Sequence, residues 1–288
     1  MIHDNVKSIV FMVLSMALFA VEDIFIKLLS QEMPASEIMV LLGLWGAGVF
    51  AVWAHLAHEP IFEKALLNKQ IIIRTLADLF GALFYISAIV LTPLSSASTI
   101  LQATPLAVTA GAALFLREKV GLRRWSAVII GFMGILLIVK PGSDAFSTYS
   151  LLAVAAVFCL SARDLATRAM NATFSTLTVS IYAFLALAMA GVCATPFFGG
   201  YTIPSAFGIG LLLASLVSGV VAYYLIVLAT RTGDMSVIAP FRYSRIIFAM
   251  MLSILILGER PDILTWIGAS IIVLSGSYMF LRERQIHS

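Results

Sequence analysis

Charge is scarce in this chain of 288 residues. Asp, Glu, Lys and Arg together make 11% of it, against 61% hydrophobic residues and a mean hydropathy of +1.04. Soluble domains carry about 25% charged residues, so a soluble globular domain is excluded. Cysteine is rarer still. Cys159 and Cys193 both fall in apolar runs, with no CxxC or Cys/His spacing, so neither a disulfide framework nor a metal site is indicated. The four histidines, His3, His55, His58 and His287, lie at ends or in loops, and no HExxH or GxSxG motif is present. An intramembrane enzyme lacks its constellation here, and without a P-loop so does a self-contained ATP-driven pump. No cofactor motif is found. A net charge of +3 is ordinary for basic inner loops and implies no nucleic-acid partner.

What is present is a succession of apolar runs. A helix needs about 20 residues to cross a bilayer, so the chain is expected to be an all-α integral membrane protein of ten spans, with no room for a soluble domain. The first span covers about Val6 to Leu29. It is long for a signal peptide, lacks a small-x-small cleavage site and is expected to be retained. The second to fifth cover about Ala35 to Ala57, Ile71 to Leu91, Ser95 to Leu116 and Trp125 to Val139. Spans six to eight run from about Ser147 to Ala169, Leu177 to Phe197 and Ser205 to Thr230. The ninth lies in Val237 to Pro261, and the tenth covers about Leu264 to Leu281.

A shift of 141 residues superposes Glu118 on Glu259, Lys119 on Arg260, Trp125 on Trp266, Asp23 on Asp164 and Lys27 on Arg168. The chain is therefore a doubled unit, residues 1–143 and 144–288. Five is an odd number of spans, so the second unit enters the membrane from the opposite side, giving inverted repeats of the kind that favour alternating access. Most loop Lys and Arg, among them Lys64, Lys69, Arg117, Lys119, Arg123 and Arg124, fall on one side of the resulting topology. Lys27, Lys140 and Arg260 fall on the other. The positive-inside rule then places both termini in the cytoplasm of a multi-pass protein of the bacterial inner membrane.

The run from Ser98 through Thr104-Pro105 to Phe115-Leu-Arg-Glu118, with Trp125, Gly131 and Gly134, resembles the signature of the EamA family in the drug/metabolite transporter superfamily. Ala239-Pro240 to Gly258-Glu259, with Trp266 and Gly268, resembles its second copy, and Lys27 stands at the family's usual lysine position in the first span. The resemblance implies a cavity lined mainly by spans one, three, four, six, eight and nine, a homodimer contact through spans five and ten, and transport of metabolites such as amino acids or riboflavin.

Charges inside the spans mark the candidate site. Asp23 with Lys27, Arg74 with Asp78, and Asp164 with Arg168 are each four residues apart and can pair along one helix. The first and third pairs, with Arg163, are read as mirrored gate elements, and Glu22 as a proton-coupling candidate. Arg242 and Arg245 share a helical face, and the shift places them on Leu101 and Thr104. A surplus of two positive charges therefore belongs to one half, which points to an anionic or zwitterionic ligand held by arginine's planar fork. Tyr85, Tyr223 and Tyr243 with Gln102 complete the substrate-binding set and favour an aromatic or amphipathic substrate. The expected function is export of amino acids or similar compounds, with uptake or exchange of a vitamin or nucleotide-like metabolite as the alternative.

Overall fold

Inside hydrocarbon a backbone amide has no water to bond, so each span must satisfy its own polar groups, and helices follow. The computed structural model describes residues 2–59, 69–116, 121–143, 146–168, 175–232 and 238–287, and these are helical without any strand. The helices are α1 (Ile2–Leu29), α2 (Ala35–Leu56), α3 (Lys69–Leu91), α4 (Leu94–Leu101), α5 (Thr104–Phe115), α6 (Leu122–Val139), α7 (Ser150–Arg168), α8 (Thr176–Phe198) and α9 (Ala206–Thr232). A 3₁₀ turn, Ala239–Tyr243, then leads into α10 (Ser244–Leu257) and α11 (Ile263–His287). Among the described residues, nine segments are long and apolar enough to cross a membrane, α4 with α5 counting as one, and a shorter apolar stretch lies in α11 at Ile263–Met279. These are the ten expected spans.

Two sets of contacts establish the inversion. Lys27, near the end of α1, meets the last carbonyls of α3, so α1 and α3 run the same way. Arg74, near the start of α3, meets Thr167 near the end of α7, so α7 runs against both. The first helices of the two halves are thus antiparallel. The packing obeys the same exchange: α2 lies on α8, α6 on α11, and the pair α1–α9 is matched by α7–α3. Close approach is secured by small residues. A Cβ on Gly43 would fall 2.3 Å from the backbone of Ala188, and one on Gly268 would fall 2.6 Å from the carbonyl of Gly134. Spans five and ten therefore pack on each other within the chain.

The fourth span, expected to be one continuous helix, is broken. Pro105 has no N–H to donate, and the backbone tightens to i→i+3 bonds at Gln102 and Ala103 before α5 begins. In the second half the 3₁₀ turn gives way to α10 at Tyr243–Ser244, the positions that the 141-residue shift assigns to Gln102–Ala103. Both halves thus carry a discontinuity at the same level. Gly258 ends α10 in the left-handed region at φ 66, which lets Glu259 N–H donate back to Ser253 O at 3.1 Å.

Spans five and ten are also joined outside the membrane. Asp262 caps α11 by accepting from Thr265 N and Oγ1 at 3.0 and 2.7 Å, and its other oxygen pairs with Lys140. The Lys140 bond, helped by Thr265, holds the Asp262 carboxyl down at about 2. A depressed carboxyl contributes its full stabilisation above the unfolded value near 4 and loses it as pH falls toward 2. Asp262→Ala should therefore lower stability by about 1 kcal/mol at pH 7, with the gap to wild type closing between pH 4 and 2 in thermal unfolding in detergent.

Candidate functional site

A cavity of about 430 Å³ lies where the halves meet, within the size range of small-molecule sites. Its wall comes from spans one, three, four, six, eight and nine, with Ala183 added from span seven. Of the residues singled out above, Glu22, Asp23, Arg74, Asp78, Tyr85, Gln102, Arg163, Asp164, Tyr223, Arg242, Tyr243 and Arg245 line it. Lys27 does not, and the side chain of Arg168 lies outside the described residues.

Pairing departs from the expected pattern. Asp23 does not pair with Lys27. It is 2% exposed and accepts from Arg245 Nη2 at 2.7 and 3.0 Å, with Tyr85 Oη donating to Oδ2 at 2.9 Å. The Arg245 guanidinium also lies over the rings of Phe19 and Tyr85, 5.2 and 5.5 Å from their centroids, a cation–π sandwich. A full ion pair across the seam prevails over a lysine one turn away, because that lysine has better partners. The Lys27 ammonium donates to the carbonyls of Ile89, Val90 and Thr92 at 2.7, 2.9 and 2.8 Å, closing the negative end of α3.

Directly after that helix end, Glu259 from the other half accepts from Leu94 N, Ser95 N and Ser95 Oγ at 2.6, 3.0 and 2.7 Å, capping α4. The turn Thr92-Pro93-Leu94 is clasped by a cation on its incoming side and an anion on its outgoing side. This clasp lies next to Ile26 and Ile89, buried residues that line the cavity.

Toward the opposite end, charges alternate. Arg74 lies 3.3 Å from Asp78, Asp78 is 3.3 Å from Arg163, and Arg163 is 2.8 Å from Asp164. The Arg74–Asp78 pair stands as expected; Asp164 pairs with Arg163, its neighbour in the chain, and the side chain of its expected partner Arg168 lies outside the described residues. Gln102 Nε2 donates to the carbonyl of Arg242 at 2.6 Å and so ties the two helix discontinuities together. Tyr243 borders the cavity, but its hydroxyl has no hydrogen-bond partner and is turned onto Gly276, where a Cβ would lie 1.8 Å from it.

Among the described residues the cavity wall contains four arginines and four acidic residues. The surplus of two expected from the sequence is not seen among the described residues, where Lys27 is engaged on α3 and the side chain of Arg168 is not described. After pairing, one residue of each sign is left over among the described residues: Arg242 and Glu22 have no ion pair or side-chain hydrogen bond. Residues missed from the sequence include Phe19, one helical turn before Asp23, and Ser98, which sits within 3.3 Å of both Tyr85 and Asp23.

An inverted-repeat membrane bundle with a charged cavity at its seam defines the class of small-molecule carriers. The chain belongs to the EamA-like transporter family, whose description fits residues 6–140 and again 147–281. It is similar to a riboflavin transporter of Vibrio cholerae serotype O1, 31% identical over 65% of this chain. That match spans 62% of the relative, less than two thirds of its length. A pseudopaline exporter of Pseudomonas aeruginosa is 29% identical over 96% of both chains, and an S-adenosylmethionine uptake transporter of Rickettsia bellii is 25% identical over 75% of this chain and 74% of its own. A solved crystal structure shares the fold with a TM-score of 0.66 at 18% identity, covering 96% of this chain and 98% of the other. The protein is thus a multi-pass protein of the inner membrane in a family of small-molecule transporters, and the names of its relatives are those of transporters rather than enzymes.

Removing one member of a buried ion pair leaves an uncompensated charge, a loss of about 3–5 kcal/mol. Arg245→Gln should destabilise the protein on that scale in detergent unfolding. The double variant Asp23→Asn with Arg245→Gln should recover most of it.

Proposed function

We propose that this chain is a secondary transporter that carries small organic metabolites bearing a carboxylate, amino acids foremost and aromatic ones among them, outward by alternating access. Arg242 carries the reading. A guanidinium at membrane depth is costly without a counter-ion, and this one faces the cavity with its carboxylate neighbours engaged elsewhere. A carboxylate arriving with the substrate would meet its planar fork bidentately. Phe19, Tyr85 and Tyr223 offer amphipathic surface for an aromatic body.

Direction is supported by the placement of the clasp. We take the Lys27–Glu259 end of the cavity to be the closed one, and the Arg74–Asp78–Arg163–Asp164 side chains lie toward the end that holds the N-terminus. By the bias of Lys and Arg that end is cytoplasmic, so the site is poised to load from inside. In this reading the Lys27–Glu259 clasp is the outer gate. The Arg74–Asp78–Arg163–Asp164 chain, with Arg168 as the sequence counterpart of Lys27, forms the inner one.

A second reading, uptake or exchange of a vitamin or nucleotide-like compound, is favoured by the riboflavin and S-adenosylmethionine relatives. Riboflavin carries no charged group near neutral pH and would leave Arg242 idle. Uptake into proteoliposomes of labelled amino acids and vitamins, with and without a pH gradient, separates the two. A charge-assisted bond is worth about 1.5–3 kcal/mol, so Arg242→Gln should slow amino-acid transport roughly 10- to 100-fold, with Arg242→Lys between. Unchanged transport of every anionic or zwitterionic substrate would end the proposal. For the gate, a cysteine at Ile89 in a background lacking Cys159 and Cys193 should react faster with an impermeant maleimide from outside once Glu259→Ala is added. Equal rates would remove Glu259 from that role.

A further inference from the structure

The two halves treat one mirrored contact differently. In α7, Arg163 reaches across to Asp78 of α3 at 3.3 Å. The 141-residue shift maps Arg163 onto Glu22 and Asp78 onto Gly219. The corresponding contact exists: the Glu22 carboxylate lies against Gly219 of α9, so close that a Cβ there would fall 2.4 Å from Oε1. One half completes an ion pair at this spot, and the other sets an acid against bare backbone. The next counterpart repeats the loss, since Arg74 maps onto Ser215, whose buried hydroxyl has no partner. The cation that symmetry would place beside Glu22 is absent.

Among the described residues no other cation forms an ion pair with Glu22. The charged groups nearest Glu22 are Asp23 on its own helix, which repels it, and Arg245, whose Nη2 is committed to Asp23. Arg242 does not reach Glu22 as an ion pair, although both line the cavity. Among the described residues the site therefore holds a guanidinium and a carboxyl with no ion-pair partner, set in a low-dielectric wall where a group of opposite charge brought by a ligand can pair with each.

We propose that Glu22 is the subsite for a cationic group of the substrate, so that the transporter selects molecules with separated charges, an ammonium on Glu22 and a carboxylate on Arg242. The inference rests on the transport reading above and narrows its substrate class. A plain carboxylate satisfies Arg242 and leaves Glu22 unmatched, whereas a zwitterion satisfies both. A site built to pair with a polar group rejects the analogue that lacks it far more strongly than a greasy pocket rejects a missing methylene. Gly219 belongs to the device, because any side chain there would push the carboxylate from its place.

The test compares amino acids with des-amino partners of the same shape: L-phenylalanine with 3-phenylpropanoate, L-leucine with 4-methylpentanoate, and L-methionine with 4-(methylthio)butanoate. Binding to the full chain in detergent is measured by calorimetry, alongside flux in proteoliposomes. At least one amino acid should bind wild type ten times more tightly than its partner. Glu22→Gln should erase that margin while leaving the des-amino compound's affinity within twofold, and Arg242→Gln should weaken both. Gly219→Ala, which keeps the acid but displaces it, should shrink the margin as well. A margin that survives Glu22→Gln overturns the inference yet leaves the transport reading standing if Arg242→Gln still acts. The inference is overturned in the same way if Glu22→Gln abolishes only the response to a pH gradient, for then the residue carries a proton. If no amino acid outbinds its partner in wild type, the inference fails outright.

Discussion

A charge taken into the middle of a bilayer must find an opposite charge, a set of backbone dipoles, or water, and the interior of this protein is organised by that requirement. The tie between Asp23 and Arg245 is its central instance. It joins the first helix of one half to the broken span of the other, with Tyr85 bonded to the carboxylate and two aromatic rings enclosing the guanidinium. Lys27 meets the requirement through three carbonyls, and Glu259 through two amides and a hydroxyl. Nearly every charge placed at depth is used to hold one segment to another.

The two helix discontinuities follow from the same logic. Breaking a helix inside a membrane exposes backbone groups that lipid cannot satisfy, so breaks survive only where protein or water supplies partners. Here Gln102, at the break in the fourth span, donates to the carbonyl of Arg242 at the break in the ninth. The break in the fourth span thus helps to satisfy the break in the ninth, and both face the cavity. The side chains of Arg242 and Arg245 emerge from this junction, which places them at the seam.

Much of this was legible in the chain. Apolar runs gave the spans, and the 141-residue repeat gave the doubling. An odd number of spans per unit then required the inversion. Twelve of the fourteen residues singled out for the site line the cavity, eight of them charged, and a charge inside an apolar run has few other places to be. Partners were not legible. Spacing of four suggested Asp23 with Lys27, yet helical spacing only states which groups can meet along one cylinder. It is silent about a guanidinium arriving from 222 residues away. The break in the fourth span had a signal in Thr104-Pro105, but a proline within a membrane helix is equally compatible with a bend. Phe19 and Gly219 carried none, since an apolar ring or a glycine in a span reads as packing until its neighbours are known.

The two halves differ in where each acid of the first helix finds its cation. Asp164 finds its cation in Arg163, the preceding residue on its own helix. The counterpart Asp23 is preceded by Glu22, so its cation must come from another helix, and Arg245 is available because the ninth span bears arginines where the fourth bears Leu101 and Thr104. A single exchange of charge on the first helix thus has two effects. It creates a cross-seam tie, and it frees one acid that has no mirror partner. In the alternating-access reading the ends of the halves must part and close while the centre keeps its register. A tie at the level of both helix breaks suits a pivot, because it shortens no path that the gates must travel. The unmatched groups beside the pivot then stay within reach of a ligand whichever end is open.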